Sequence, residues 1–408
     1  MNLLTLAAAG LLAVQNPEEL VRTVDGKDPA ASFEAIARLA ALPEARRAEI
    51  EAASAKLEPF YREALLAEIK LKGELGDLFG KESRVTWKSG PKYATAHAAE
   101  LATRTGLVLA PSNEPENATP FDVEFDGTFA MAALARICHE GKLRAERQAG
   151  SAQVALQPRG WEVQPFAYRN FAFFLQNAYV EKRVDFASRP AWTLRVSLSA
   201  VWDPSLPVAG WKPEARLVEA TTDSGAKLEA AAAELATSFR QDEVDPMQGT
   251  VGHSSMAVAL RLPAEAPAKV ARLRLVATAL LARSFREFAL TPARPKAEDE
   301  ELEATLRPEA EAGSFVVVLR PKKGTPAALA ALPPDFRPAY KNSKNTQCSA
   351  GVAVKAGEVE YRVYTWSSSP EGLAPGGQIP ELVSVTLRLP TSVAERPVRV
   401  ELRDVPAK

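Results

Sequence analysis

The chain has 408 residues, enough for roughly two to four domains, and 46% apolar with 25% charged residues is the composition of packed globular structure rather than of a disordered chain. With 50 Lys plus Arg against 51 Asp plus Glu, no net field draws in phosphate backbones or anionic lipid, so nucleic acid is not an expected partner. Two cysteines, Cys138 and Cys348, cannot build a disulfide framework or a zinc cluster. Cys138 shares an apolar stripe with Leu134 and Ile137, the setting of a buried, inert thiol.

Residues 1–15 carry an apolar run from Leu3 to Val14, with Ala13 near its end, and read as a secretory signal that lacks a basic leader. The competing reading is a first helix packed on Leu20 and Val24. The run is too short to cross a bilayer, and no later stretch is long enough, so no transmembrane segment is expected once the signal is removed.

Residues 16–80 are rich in Ala, Glu, Arg and Leu, with Leu20, Val21 and Val24, then Phe33, Ile36 and Leu39, then Phe60, Leu65 and Ile69 at helical spacing. Breaks at Gly26 to Pro29, Pro43 and Pro59 make the helices short, antiparallel neighbours, which resembles a helix-pair repeat of the HEAT kind. So small a helical cap cannot bury its own core, so it is expected to lean on the next domain.

Across 81–157 a strand–helix–strand pattern is written twice. An offset of 36 residues sets Val85 against Phe121, Trp87 against Val123, Ala98 against Leu134 and Leu107 against Leu143. Strands are predicted at 85–87, 107–109, 121–125 and 143–147, the last extending with 154–156, and helices at 93–103 and 129–139. Gly106 and Gly141 are predicted as left-handed helix ends. The tandem unit resembles the short N-terminal domain of secretins and TonB-dependent receptors, a module that binds partner proteins in the bacterial envelope. That resemblance implies a binding role without catalysis.

From 158 to 295 the texture turns to alternating strands, including those around Phe171, Leu194, Val218, Ala259 and Leu273, in the outline of an antiparallel β-sandwich. The acidic, Pro-rich stretch 291–303 reads as a linker or long loop, and 296–408 as a second strand-rich region, either a second sandwich or the completion of the first. The order of helical repeat, tandem unit and sandwich, with the tract Trp202-Asp203-Pro204, then Asp223-Ser224-Gly225, and the closing strand from Val398 to Asp404, resembles a group of uncharacterised bacterial envelope proteins.

Candidate chemistry is sparse. His97, His139 and His253 are too scattered for a metal site, and His97 and His139 are expected at the exposed or half-buried edge of their helices. His253 beside Ser254 and Ser255 lacks a nucleophile elbow. Ser224 and Lys227 match S-x-x-K, but Ser224 is predicted in a hairpin turn, where Lys227 is not one helical turn away. The cluster Glu298 to Glu301 is a solvated charge run, no phosphate loop follows Gly376-Gly377, and 340–347 reads as a polar loop. Aromatic residues crowd 161–179. Core packing accounts for one face of each strand. Tyr168, Phe174, Trp202 and Trp211 are the residues that would form an exposed binding surface if no second layer covered them.

The expectation is therefore an α+β multidomain protein with an N-terminal helical cap, a duplicated small βαβ-type unit and antiparallel β-sandwich regions, exported to the periplasm, with no catalytic residue, cofactor or metal. Its expected work is non-enzymatic binding of envelope protein partners through strand edges of the tandem unit. The alternatives are a carbohydrate-active or hydrolytic enzyme with a carboxylate-based site, or a carbohydrate-binding protein.

Overall fold

The computed structural model describes residues 16–24, 26–75, 83–110, 112–147, 154–183, 191–203, 205–212, 215–231, 252–263, 267–323, 329, 338–343, 349–355, 357–365 and 379–407. The candidate signal at 1–15, Cys348 and the Gly376-Gly377 pair lie outside them. The architecture is mixed α and β, with antiparallel sheets throughout. No helix among the described residues is long and apolar enough to cross a membrane, which leaves strand-built barrels unaddressed.

Among the described residues four α-helices come first: α1 (Pro17–Thr23), α2 (Pro29–Ala41), α3 (Arg47–Ser54) and α4 (Pro59–Leu75). The start of α1 and α2 follows from local chemistry. Asn16 and Asp28 accept hydrogen bonds from the first free N–H groups, and proline fixes φ at the first helical position. The buried stripe Phe33, Ile36, Leu39, Phe60, Tyr61 and Leu65 does not close on itself but merges with the core of the following β-sheets. Phe33 packs edge-on against Phe166 at 5.3 Å and against Tyr168 at 5.1 Å.

The next layer holds β1 (Arg84–Lys92), α5 (Ala94–Thr105), β2 (Phe121–Phe129), α6 (Ala130–Glu140), β3 (Leu143–Arg147) and β4 (Val154–Pro158). The two strand–helix segments share their strands: β1 pairs with β2, and β3 with β4, which also meets Leu109 through a parallel bridge. One apolar core, including Trp87, Leu101, Phe125, Leu134 and Ile137, runs beneath both helices. Gly106 ends α5 with φ of 74°, as predicted. Gly141 differs, with φ of −79°. Its glycine is required by crowding, since a Cβ there would stand 2.2 Å from the Cβ of Ala94 at the start of α5.

The remaining strands are β5 (Phe166–Tyr168), β6 (Phe171–Arg183), β7 (Ala191–Trp202), β8 (Val208–Trp211), β9 (Arg216–Thr222), β10 (Glu229–Ala230), β11 (Gly252–Leu262), β12 (Lys269–Leu290), β13 (Lys296–Glu298), β14 (Leu302–Pro308), β15 (Ser314–Pro321), β16 (Ala339–Asn342), β17 (Ser349–Lys355), β18 (Glu358–Tyr364) and β19 (Leu382–Pro406). They form three five-stranded sheets. The first has the order β10-β11-β7-β6-β5, the second β16-β19-β12-β8 with β9 also on β12, and the third β13-β14-β15-β18-β17.

The first sheet is a middle layer. Alternation along β6 sends Phe171 and Phe173 into the core shared with the second sheet and the helices, and Ala172 and Phe174 into the core shared with the βα layer. The second sheet is built on a long ribbon. β12 and β19 pair from Lys269 opposite Pro406 to Leu290 opposite Val385, with register shifts between Ala282 and Phe285. On one side of that irregularity Leu273, Leu275, Val398 and Val400 face the first core. On the other, Phe288, Leu290, Leu387 and Leu389 face a second core with the third sheet. The two strand-rich regions thus have separate cores that share two strands.

Two local expectations are corrected. Residues 296–303 are not a linker but the hairpin of β13 and β14. Its tip is fixed by Asp299, which accepts the N–H groups of Glu301 and Leu302 at 2.8 Å, and by Arg286, which binds Asp299 and Glu301. Residues 339–342 are not loop but strand β16, because backbone pairing to β19 supplies what their polar side chains do not signal. Residues 344–347 lie outside the described residues.

Candidate functional site

The four aromatic residues singled out from the sequence are all interior. Tyr168, Phe174, Trp202 and Trp211 are each at most 2% exposed. Phe174 is covered by the βα layer, and Trp202 and Trp211 pack edge-on at 6.0 Å with Phe171 against Trp211 at 5.2 Å. The expected aromatic binding face is therefore absent at these positions, because layers on both sides of the first sheet cover the alternate faces of its strands and Trp211, on β8 of the second sheet, packs into the core between the two.

Tyr168 leads instead to a buried ionic cluster. Its hydroxyl donates to Glu68 of α4, and the same carboxylate takes a guanidinium N–H from Arg169 and lies 3.7 Å from Arg396. Glu68, Arg169 and Arg396 are at most 5% exposed. Burial by itself would raise the Glu68 pKa, yet the guanidinium groups of Arg169 and Arg396, with the Tyr168 hydroxyl, hold it below its ordinary value. A second cluster lies along the same helix. Arg274 of β12 binds Glu58, Glu219 at 2.9 Å and Glu401 at 3.1 Å, and Glu401 accepts the Tyr61 hydroxyl at 2.7 Å. Burial and the Glu401 carboxylate push the Tyr61 hydroxyl well above the usual range, so it stays protonated and donates. Both clusters clamp α4 onto the sheets. Sequence reading missed them because the residues that bond one another are 55 to 340 residues apart in the chain.

A cleft of about 1170 Å³ opens beside the second cluster, between the start of α4 and strands β9 and β10. Its charged lining is Glu58, Arg216, Glu219, Lys227, Glu229 and Arg274. The hydrogen bond from Arg274 holds Glu58 below the ordinary carboxylate range. Glu58 and Glu219 thus share one guanidinium and act as its ion-pair partners. A glycosidase acid needs the reverse, a carboxyl whose pKa is raised so that it carries a proton. Ser224 sits in the turn after β9, its hydroxyl 2.8 Å from that of Thr222, and Lys227 lies beyond the turn on the cleft wall.

The histidines separate by environment. His97 is fully buried, not at an edge, with Nε2 2.7 Å from the Phe121 carbonyl and its ring between Trp87 and Phe121. His139 is half-buried against Arg159, and burial lowers its pKa. The backbone of His253 is in β11, and its side chain lies outside the described residues. Cys138 is free and buried, and burial pushes its thiol pKa up, which leaves it unreactive. No group of three or more His, Cys, Asp or Glu among the described residues is placed to hold a metal ion.

The β1–β2 ribbon presents a different kind of surface. It is a two-stranded sheet, so among the described residues each strand has one flank with no strand paired beside it. The flanks are not alike. Beside β2 stand α2 and α6, whose Arg38 and Arg136 donate to the Asp126 and Glu124 carbonyls at 3.4 and 3.2 Å. Along β1 the exposed positions are Arg84, Thr86, Lys88, Gly90, Pro91 and Lys92, and the strand ends at Tyr93, 48% exposed. No protein-family model matches the chain, and neither the curated proteins nor the solved structures include a significant match to it.

Proposed function

We propose that this chain is a non-enzymatic binding or scaffolding protein of the bacterial envelope, exported to the periplasm and acting through protein–protein contacts. The observation that carries this reading is the outer flank of β1, where no strand pairs with the backbone among the described residues. Unpaired N–H and C=O groups of an edge strand are a template for an incoming strand, and adding one is a common way for a small domain to hold an extended partner segment. The apolar run at 3–14 and the resemblance of residues 81–157 to the secretin and TonB-receptor module support the envelope setting.

A hydrolytic enzyme would need two convergent carboxyls, one holding a proton. Glu58 and Glu219, which line the cleft beside α4 together, are instead tied to Arg274. Carbohydrate binding through Tyr168, Phe174, Trp202 and Trp211 would need those rings at the surface, and they are buried. The test is photo-crosslinking in the native cell from position 88 of the full chain, with mass spectrometry of the captured protein and of the mature N-terminus. One recurring envelope protein, together with an N-terminus near Asn16, is expected. An intact Met1 with no capture would overturn the proposal.

A further inference from the structure

We infer that the β12–β19 ribbon is hinged at its centre, so that the third sheet, with the strand ends packed on it, swings as one body relative to the helices and the first two sheets. The hinge does not depend on the binding role proposed above. Its first ground is the register. Ala282 stands opposite Val393, Ser284 opposite Ser392 and Phe285 opposite Pro390. From the first pair to the second β12 advances two residues and β19 one, so Arg283 is an extra residue on β12. From the second pair to the third β12 advances one residue and β19 two, so Thr391 is an extra residue on β19. An extra residue bends its strand and interrupts the ladder. Here both strands are interrupted at consecutive pairs, and Pro390 beside them has no N–H to give.

The second ground is how thin and how wet the ribbon is at this point. β8 pairs with β12 no further along than Leu281, and β16 pairs with β19 no closer than Thr386. Between those limits the ribbon is two strands wide among the described residues. Arg283, Ser284, Thr391 and Ser392 are exposed, whereas Leu281 and Ala282 before them and Phe288 and Leu389 beyond them are buried. The hydroxyls of Ser284 and Thr391 bond to each other across the bulges. Backbone groups that leave the ladder here are taken up by water, so a change of angle leaves no polar group stranded.

The third ground is that each side of the break is tied to its own body. Arg283 donates to the Glu74 carbonyl at the end of α4 at 3.0 Å, while Arg286, three residues on, binds Asp299 and Glu301 of the β13–β14 hairpin. The cores divide at the same place. The first runs along the ribbon as far as Leu281 and Ala394, the other begins at Phe288 and Leu389, and no residue belongs to both. Bodies with separate cores and a narrow connection move relative to each other unless a large apolar interface joins them. The few residues between them take up the bend, which places the hinge at residues 283–285 and 390–392.

The test uses the full chain with Cys348→Ser, which leaves Cys138, buried, as the native cysteine. Nitroxide labels are placed at exposed positions. Lys70→Cys on α4 with Arg307→Cys on β14 spans the hinge, Lys70→Cys with Arg261→Cys lies on one side of it, and Arg307→Cys with Lys341→Cys on the other. Pulsed dipolar spectroscopy is expected to give the spanning pair a distance distribution about twice as wide as that of either pair within a body. Deleting Arg283 and Thr391 together restores an unbroken register and is expected to narrow the spanning distribution to the width of the others. Hydrogen exchange of the unaltered protein needs no variant: the amides of 283–285 and 391–393 are expected to exchange at least about tenfold faster than those of 273–281 and 398–402. A spanning distribution as narrow as the other two would overturn the inference. So would a broad one that stays broad in the folded deletion variant, or even protection through the centre of the ribbon.

Discussion

The two ends of the β12–β19 ribbon carry cores of opposite character. Around Leu273 and Val400 the sheet is wrapped by helices and threaded with buried charge: Glu68, Arg169, Arg274, Arg396 and Glu401 are all at most 5% exposed. Around Leu290 and Leu387 the third sheet closes on an apolar core, and the buried polar groups near it, Ser314, Asn342 and Thr365, are uncharged. Apolar burial is non-directional and tolerates small slips, whereas a buried carboxylate and guanidinium are stable only when they meet. The charged end therefore fixes where α4 sits, and the apolar end only needs its two sheets to face each other.

The largest effect expected from breaking this contrast is at Glu68. Replacing it with Ala leaves Arg169 and Arg396 without their shared carboxylate in the interior and should cost about 3–5 kcal/mol in urea unfolding. Replacing Glu68, Arg169 and Arg396 together with apolar residues of similar size should recover most of that loss, since no uncompensated charge remains. A destabilisation that persists in the triple variant would show that the cluster contributes stability beyond positioning.

At the other end, Leu319→Ala opens a cavity in the apolar core and should cost about 3 kcal/mol. Hydrogen exchange should register that loss in β14, β15 and β18 while the amides of α4 keep their protection. Equal loss in α4 would mean that the ribbon transmits strain across its irregular centre and that the two cores unfold as one.

Acid should separate the ends more gently. Glu68 and Glu58 are both held below the ordinary carboxylate value of 4.5. Their folded forms bind protons less tightly than their unfolded forms, so the stabilisation is complete above about pH 4.5 and is lost as pH falls below it through the folded values. Segment-resolved hydrogen exchange between pH 5 and pH 3 should show the helices loosening before the third sheet. The smallest effect is expected at the surface of the first sheet, where Arg195→Ala removes the 2.7 Å pair with Glu181. That pair is largely solvated and should change stability by less than about 1 kcal/mol.

Much of the local structure was legible. Helical spacing at Phe33, Ile36 and Leu39, proline after Asn16 and Asp28, and alternation through Phe171 and Phe173 each encode their element within a few residues. The candidate site was legible only in part. The pattern of β1 and β2 was visible, but not their pairing with each other, nor the contact that Arg38 of α2 makes with Asp126 from more than 80 residues upstream. The aromatic positions show the same division: Tyr168 and Phe174 read as sharing a face, but Tyr168 pairs with Phe171 on a separate strand and enters the first core while Phe174 faces the βα layer, a placement set by strand pairing that is not written nearby.

The sequence by itself determined many of the helices and strands, though not β13, β14 or β16, and that the charges balance over the whole chain, because those properties are set by short-range periodicity, capping and composition. Only the tertiary structure decided that Tyr168, Phe174, Trp202 and Trp211 are interior, that Glu68 and Glu401 meet arginines from distant strands, that one ribbon serves two cores, and that α2 and α6 bond to β2 while no strand among the described residues pairs with the outer flank of β1. Those outcomes depend on which layers stack on which, and stacking is fixed by the summed burial and ion pairing of segments hundreds of residues apart.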